Sequence, residues 1–403
     1  MTAFNPAQQL SKQTSAVDEA IIIQMAQKAR DLRADGVDVV SLTIGEPDFD
    51  TPEHIRRAAT DAMNAGFTHY APIAGIPELR QALSDKLRTE NGLEYAPDEI
   101  VVTNGAKQAI TNAVFALVDP GDEVVLLTPF WVAYEGIIKM AGGMPKIVHA
   151  GVDENFKVPP GRLAEALGER TKLVILNSPC NPTGAVYDKA EMAGLAEVIA
   201  AHPRTMLLSD EIYEYIMFDR KHTSFGTLSG MRERTITVNG LSKGFAMTGW
   251  RVGYGAAPKP VAKAMGKVQG TFTAGGNAFV QHAAIAALKG NRDDVENMRQ
   301  SYRRRRDLII AGLSAIPGIR APSPAGAFYI FPDVSAYFGK MAGNRHIDTA
   351  SDLADWLLDT HHVATVPGAT FGDDHCIRLS FAASDADITR GLERMAQAFN
   401  ELA

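Results

Sequence analysis

The 403-residue sequence predicts an α/β fold: a mostly parallel sheet between helices, followed by a smaller α+β unit. Three observations carry this. Short β-branched runs alternate with helical stretches through the middle of the chain. Each run is apolar without alternation, as a strand covered on both faces requires. Nearly every run ends in a polar or glycine-rich turn.

The elements follow in order. Residues 1–45 contain "IIIQMAQKARDL", an amphipathic helix that needs a partner face, and are expected to pack on the smaller unit. Residues 46–290 form the expected large unit. There "EIVVTNG" precedes the helical "AKQAITNAVFALV", and "DEVVLLTP" precedes "WVAYEGIIKMAG". "KLVILNSP", "TMLLSDE" and "TITVNG" follow as further strands, and the segment of Arg251 also reads as a buried strand. A long helix from Asp293 to Leu313 leaves this region. Residues 291–403 form the expected small unit, with "GAFYIFPDV", "VATVPGATFG" and "CIRLSFAAS" as strand-like runs among helices.

Composition narrows the function. Hydrophobic residues make up 46% and charged residues 22%, ordinary values for a soluble globular protein. The net charge of −7 and the lack of a basic tail argue against nucleic acid as a partner. The basic run Arg303 to Arg306 lies in a helical pattern and reads as a solvated helix face. Cys180 and Cys376 give no disulfide framework, and adjacent His361 and His362 have no ligand-spaced partners, so no metal is expected. "AIII" is too short for a signal segment, and no apolar run reaches membrane-spanning length. A cytoplasmic setting is the expectation.

In open α/β sheets, ligands collect at the carboxyl ends of the strands. The chemistry-bearing residues sit there in this sequence. Lys243, in "VNGLSKGFAMTGWRVGYG", follows a strand, with Arg251 eight residues on. A desolvated lysine near another cation is a nucleophile toward carbonyls; an exposed loop lysine is the bland alternative. Asp210 ends the apolar run "TMLLSD", where a carboxylate costs free energy unless paired. A protonated pyridine nitrogen would supply the pairing; capping a following helix would also use the carboxylate. Tyr213 could reach the same ligand from the next helical turn. "NSPCNPTG" presents Asn181 from a turn fixed by two prolines and a glycine. "TNGAKQAI" is a strand-to-helix turn whose amides could hold a phosphate.

Together these runs resemble the pyridoxal-phosphate enzymes of fold type I, and within them the class I aminotransferases. The resemblance runs from "IGEPDFDTP" to "CIRLSFAAS" and looks closest to the bacterial aspartate aminotransferase branch. It implies pyridoxal 5'-phosphate as cofactor, with Lys243 bonded to its aldehyde and Asp210 paired with its ring nitrogen. Asn181 and Tyr213 would hydrogen-bond its phenolic oxygen, and Trp131 would stack on the ring. The amides of Gly105, Ala106 and Lys107, with Ser242 and Arg251, would hold the phosphate. Tyr70 would reach the phosphate of a neighbouring subunit, so a homodimer with shared sites is implied. Arg378 would bind the substrate α-carboxylate in a pocket lined by Gly45 and Asn181.

The resemblance thus implies transfer of an amino group between an L-amino acid and a 2-oxo acid such as 2-oxoglutarate. Lys107 matches a lysine that takes part in binding a distal carboxylate, which favours an aspartate-like donor. Relatives in this branch also tend to carry a hydroxyl-bearing "SAT" segment near the N-terminus. Aligned back from "QKARDL", this chain reads "AIIIQMA", with Ile21 to Ile23 at the polar positions and a "TSA" at Thr14 to Ala16 upstream. An apolar lid would suit aromatic or other neutral amino acids, the alternative donors. A β-lyase on the same fold is the nearest rival reaction. A regulator would need a DNA-binding domain, and a nicotinamide dehydrogenase an early G-x-G-x-x-G, which the sequence lacks.

Overall fold

The computed structural model describes residues 5–17 and 21–402. Val40–Ser41 form a short strand, β1. Seven strands then make the main sheet: Ile100–Thr103 (β2), Glu123–Leu127 (β3), Met144–Val148 (β4), Thr171–Asn177 (β5), Met206–Asp210 (β6), Thr235–Gly240 (β7) and Gly253–Ala256 (β8). Their order is β2-β8-β7-β6-β5-β3-β4. All pairs are parallel except the two made by β8.

The sheet is buried on both faces by period-two alternation within apolar runs. Val124 and Leu126 join a core with Ile110 and Ala113 of helix Ala106–Leu117. Val125 and Leu127 face Leu195 and Ile199 of helix Lys189–Ala200. Register aligns the strand ends that matter for chemistry. Asn177 pairs with Asp210, and Asp210 with Val238. Gly253 pairs with both Thr103 and Gly240. Because β8 runs antiparallel, its start lies at the edge where the other strands finish.

Tyr329–Ile330 form β9, Lys340–Ala342 and Arg345–Ile347 the hairpin β10–β11, Val363–Ala364 β12, Val366–Pro367 β13 and Ile377–Ser380 β14. β13, β14 and β9 make an antiparallel sheet of three. β1 adds in parallel to β12. Helix Ile21–Ala34 places Met25 and Ala29 against Ala354 and Leu358 of helix Ala350–His361. The side chains of Ile21 to Ile23, expected as an apolar lid, lie outside the described residues. Among the described residues no helix is long and apolar enough to cross a membrane.

One strand was not anticipated, and three local expectations change. β4 contains Pro145 and is largely solvent-facing, so it shows no continuous apolar run; its place at the sheet edge tolerates both features. Arg251 does not lie on a strand: β8 starts at Gly253, and Arg251 adopts φ +53° in the turn before it. Asp210 caps no helix, because residues 212–215 form a turn; it accepts from the Ile212 amide at 3.2 Å. The Arg303–Arg306 run is not a uniformly solvated face. Arg305 and Arg306 are buried, Arg305 against Asp48 at 2.8 Å and Asp385 at 3.1 Å, and Arg306 against Asp219 at 2.5 Å.

Candidate active site

A cavity of about 270 Å³ opens at the carboxyl edge of the main sheet and is closed on its far side by β9 and β14. It gathers Gly45, Ala106, Lys107, Trp131, Asn181, Asp210, Tyr213, Ser242, Lys243, Arg251 and Arg378 at its wall. Gly105 lies immediately behind Ala106. These residues come from five loops, the start of one helix and two strands.

Close backbone approach explains two glycines. Gly105 has φ +80°, and a Cβ there would meet the Arg251 guanidinium at 2.5 Å. A Cβ on Gly253 would meet the Ala106 amide nitrogen at 2.5 Å. Helix Ala106–Leu117 starts between them, so its first amides and positive dipole end face the cavity beside Arg251.

Asp210 is 3% exposed, forms no salt bridge among the described residues, and accepts from the Tyr134 hydroxyl at 2.7 Å. Burial pushes its carboxyl up to about 6, against the lowering effect of the Tyr134 and Ile212 hydrogen bonds. Asn177 fixes the strand end: its side-chain amide donates to the Asp210 carbonyl at 2.9 Å, and its oxygen accepts from the Asn181 amide at 2.8 Å. Burial lowers the Lys243 ammonium to about 8, helped by the Arg251 and Arg378 charges and opposed by Glu46 and Asp210. Lys243 Nζ donates to the Gly45 carbonyl at 2.5 Å. Burial and the neighbouring Arg251 charge also lower Lys107, whose Nζ lies 4.9 Å from the Trp131 ring centre.

Arg378 is buried on β14 and donates to Asn181 Oδ1 at 3.0 Å and to the Thr43 carbonyl at 2.7 Å. Its Nε has no partner among the described residues. The Tyr213 hydroxyl lies 3.0 Å from that of Tyr329. Burial holds the Tyr213 phenol well above its ordinary range. The wall therefore carries four cations, Lys107, Lys243, Arg251 and Arg378, against one carboxylate. Such a cavity accepts a ligand with several negative charges and one site that can pair with Asp210.

Tyr70 lies elsewhere. It is 95% exposed and lines a second cavity of about 470 Å³ with residues 273–279. Asn177 belongs to the strand end expected to bear chemistry, whereas Tyr134, Thr43 and Tyr329 were not expected at the site. Tyr134, three residues after Trp131 at the start of a helix, had a positional signal; Tyr329 sat inside an apolar run and had none. The fold also brings together Glu211, Glu214 and His222, a group close enough to hold a metal ion and not expected from the sequence. There Lys86 pairs with Glu214, so a protein cation already occupies the group.

Residues 37–395 match the family model described as aminotransferase class I and II. A relative from Petunia hybrida, a bifunctional aspartate aminotransferase and glutamate/aspartate-prephenate aminotransferase, is 45% identical over 96% of this chain and 82% of its own length. The crystal structure of the aspartate aminotransferase from Rhizobium meliloti superposes with a TM-score of 0.96, at 40% identity and full coverage of both chains. The Thermus thermophilus aspartate aminotransferase with maleate gives 0.91 at 44% identity, covering 96% of this chain and 99% of that one.

Proposed function

Because this chain belongs to the class I and II aminotransferase family, we propose that the cavity around Lys243 moves an amino group between an aspartate-like L-amino acid and a 2-oxo acid such as 2-oxoglutarate, with pyridoxal 5'-phosphate as cofactor. One observation carries the reading: Asp210 is a buried carboxylate facing a cavity whose other charged lining residues are all cations. That pattern fits a phosphorylated pyridine aldehyde plus a substrate carboxylate. The phosphate suits the helix start at Ala106, with Gly105, Lys107, Ser242 and Arg251 around it. The α-carboxylate suits Arg378, whose Nε lacks a partner.

When bound, the cofactor supplies an aldehyde for the amine and a ring that withdraws electrons from the substrate α-carbon. Asp210 would hold the proton on the ring nitrogen, the cation there offsetting the cost of keeping its carboxylate buried and charged. Lys243 Nζ would accept the α-proton and deliver it to the carbon of the cofactor's aldehyde group. With its ammonium lowered to about 8, roughly a tenth of the lysine is neutral at pH 7. Asn181 and Tyr213 orient the phenolic oxygen, Trp131 covers the ring face, and Gly45 closes the carboxylate pocket. Lys107 serves the phosphate through its backbone amide and the distal carboxylate of a dicarboxylic substrate through its side chain.

Three further readings go with this one. The chain divides into a segment of residues 1–45, a cofactor-binding domain of 46–290 and a small domain of 291–403. It works as a homodimer whose partner covers the exposed Phe67, Tyr70, Ile73 and Phe272 and receives Tyr70 at its phosphate site. Its free, buried cysteines suit a reducing cytoplasm. Product analysis tests the function. Incubation with aspartate and 2-oxoglutarate should yield glutamate in proportion to the oxo acid formed from aspartate. Ammonia released without an acceptor would mean elimination instead.

A further inference from the structure

We propose that Tyr329 is a positioning residue that ties the carboxylate-binding Arg378 to the Tyr213 phenol across the cavity. The inference rests on the reading of the site given above and adds a residue with two separable jobs. Tyr329 is fully buried, lines the cavity, and stands on β9. β9 pairs with β14, so Tyr329 lies opposite Ser380, two residues from Arg378. Its ring centre is 4.7 Å from the Arg378 guanidinium carbon. Its hydroxyl is 3.0 Å from the Tyr213 hydroxyl. A Cβ on Gly45 would come within 3.2 Å of the same hydroxyl, so the glycine leaves it room.

The ring and the hydroxyl do different things. Arg378 makes no salt bridge among the described residues and is flanked by two aromatic rings, Tyr329 and Phe371, the second at 5.0 Å. A desolvated guanidinium gains from such rings and is held in one orientation by them. The hydroxyl acts on Tyr213. A phenol has one proton to donate. If Tyr213 gives its proton to an acceptor in the cavity, Tyr329 must be the donor between the two phenols. A donated bond at Tyr213 makes Tyr213 the stronger donor in turn. The Arg378 charge opposes the rise that burial gives both phenols, so the direction is set by the acceptor that faces Tyr213 in the cavity.

The two jobs separate in two variants of the cofactor-loaded protein. Tyr329→Phe keeps the ring and removes the hydroxyl. It should move the pH midpoint of the cofactor's visible band upward by about 0.3–0.7 unit, because the phenolic oxygen loses part of its hydrogen bond. The KM for the amino acid should stay within about twofold, since the ring against Arg378 remains. Tyr329→Leu should show the same spectral shift and raise KM by about 5–30-fold. Melting of the cofactor-free variants reports folding, and Tyr329→Phe carries the test alone if Tyr329→Leu fails to fold. An unchanged midpoint in Tyr329→Phe overturns the proposal, as does a KM rise equal to that of Tyr329→Leu. A wild type that takes up no cofactor overturns the functional reading and this proposal together. A normal wild-type band with an unshifted variant overturns this proposal alone.

Discussion

Replacing Asp210 with asparagine should stabilise the cofactor-free protein while abolishing turnover. The folded carboxyl sits at about 6, against an ordinary value of 3.8, because burial disfavours its charge. Between those two pH values the folded chain holds a proton that the unfolded chain releases. Stability therefore falls as pH rises through the window and stays low above it. At about 1.4 kcal/mol per unit, the charged group costs the empty protein roughly 3 kcal/mol at pH 8. Asparagine does not titrate, and its amide and carbonyl can still meet the Tyr134 hydroxyl and the Ile212 amide. For a chain of this length the gain is about 3–4 °C in Tm at pH 8. At pH 4.5 the gap should shrink to about 1 kcal/mol, because much of the unfolded-state carboxyl is still charged but the folded one is not. The assay is melting of cofactor-free wild type and Asp210→Asn from pH 4.5 to 8. A variant less stable than wild type at pH 8, or a gap independent of pH, would refute the claim that Asp210 is held charged and unpaired for a cationic ligand.

Two further outcomes test neighbouring assignments. Lys107→Ala should raise KM for aspartate by about 10–100-fold and leave phenylalanine nearly unaffected, as loss of one charge-assisted contact implies; equal damage to both substrates would confine Lys107 to the phosphate. Mixing equal amounts of Lys243→Ala and Tyr70→Ala chains under subunit exchange should restore about a quarter of wild-type active sites, because each mixed dimer then holds one intact site; no recovery would mean Tyr70 serves no partner.

How far the sequence reveals this protein depends on the scale of the feature. Strands β2, β3, β5, β6 and β7 were legible because burial on both faces writes an apolar run. β4 was not, since an edge strand with Pro145 and solvent-facing positions carries no such run. Lys243, Asp210 and Asn181 were legible because polar residues at strand ends need a reason. Tyr134 and Tyr329 were hidden because aromatic residues inside apolar stretches look like core, and only packing brings their hydroxyls to Asp210 and Tyr213. Arg305 looked solvated for the opposite reason: its partner Asp48 lies 257 positions away and leaves no trace in the helix pattern.

The central claim is that Lys243 is the residue that takes the cofactor's aldehyde. Lys107 is the natural competitor, because it lines the same cavity and is also lowered below the ordinary lysine value. Borohydride treatment of the pyridoxal 5'-phosphate-loaded protein, followed by peptide mass mapping, separates the two. A single reduced adduct on the peptide carrying Lys243, with loss of the visible band, is the expected result. An adduct on Lys107, or a wild-type protein that forms none, would contradict it.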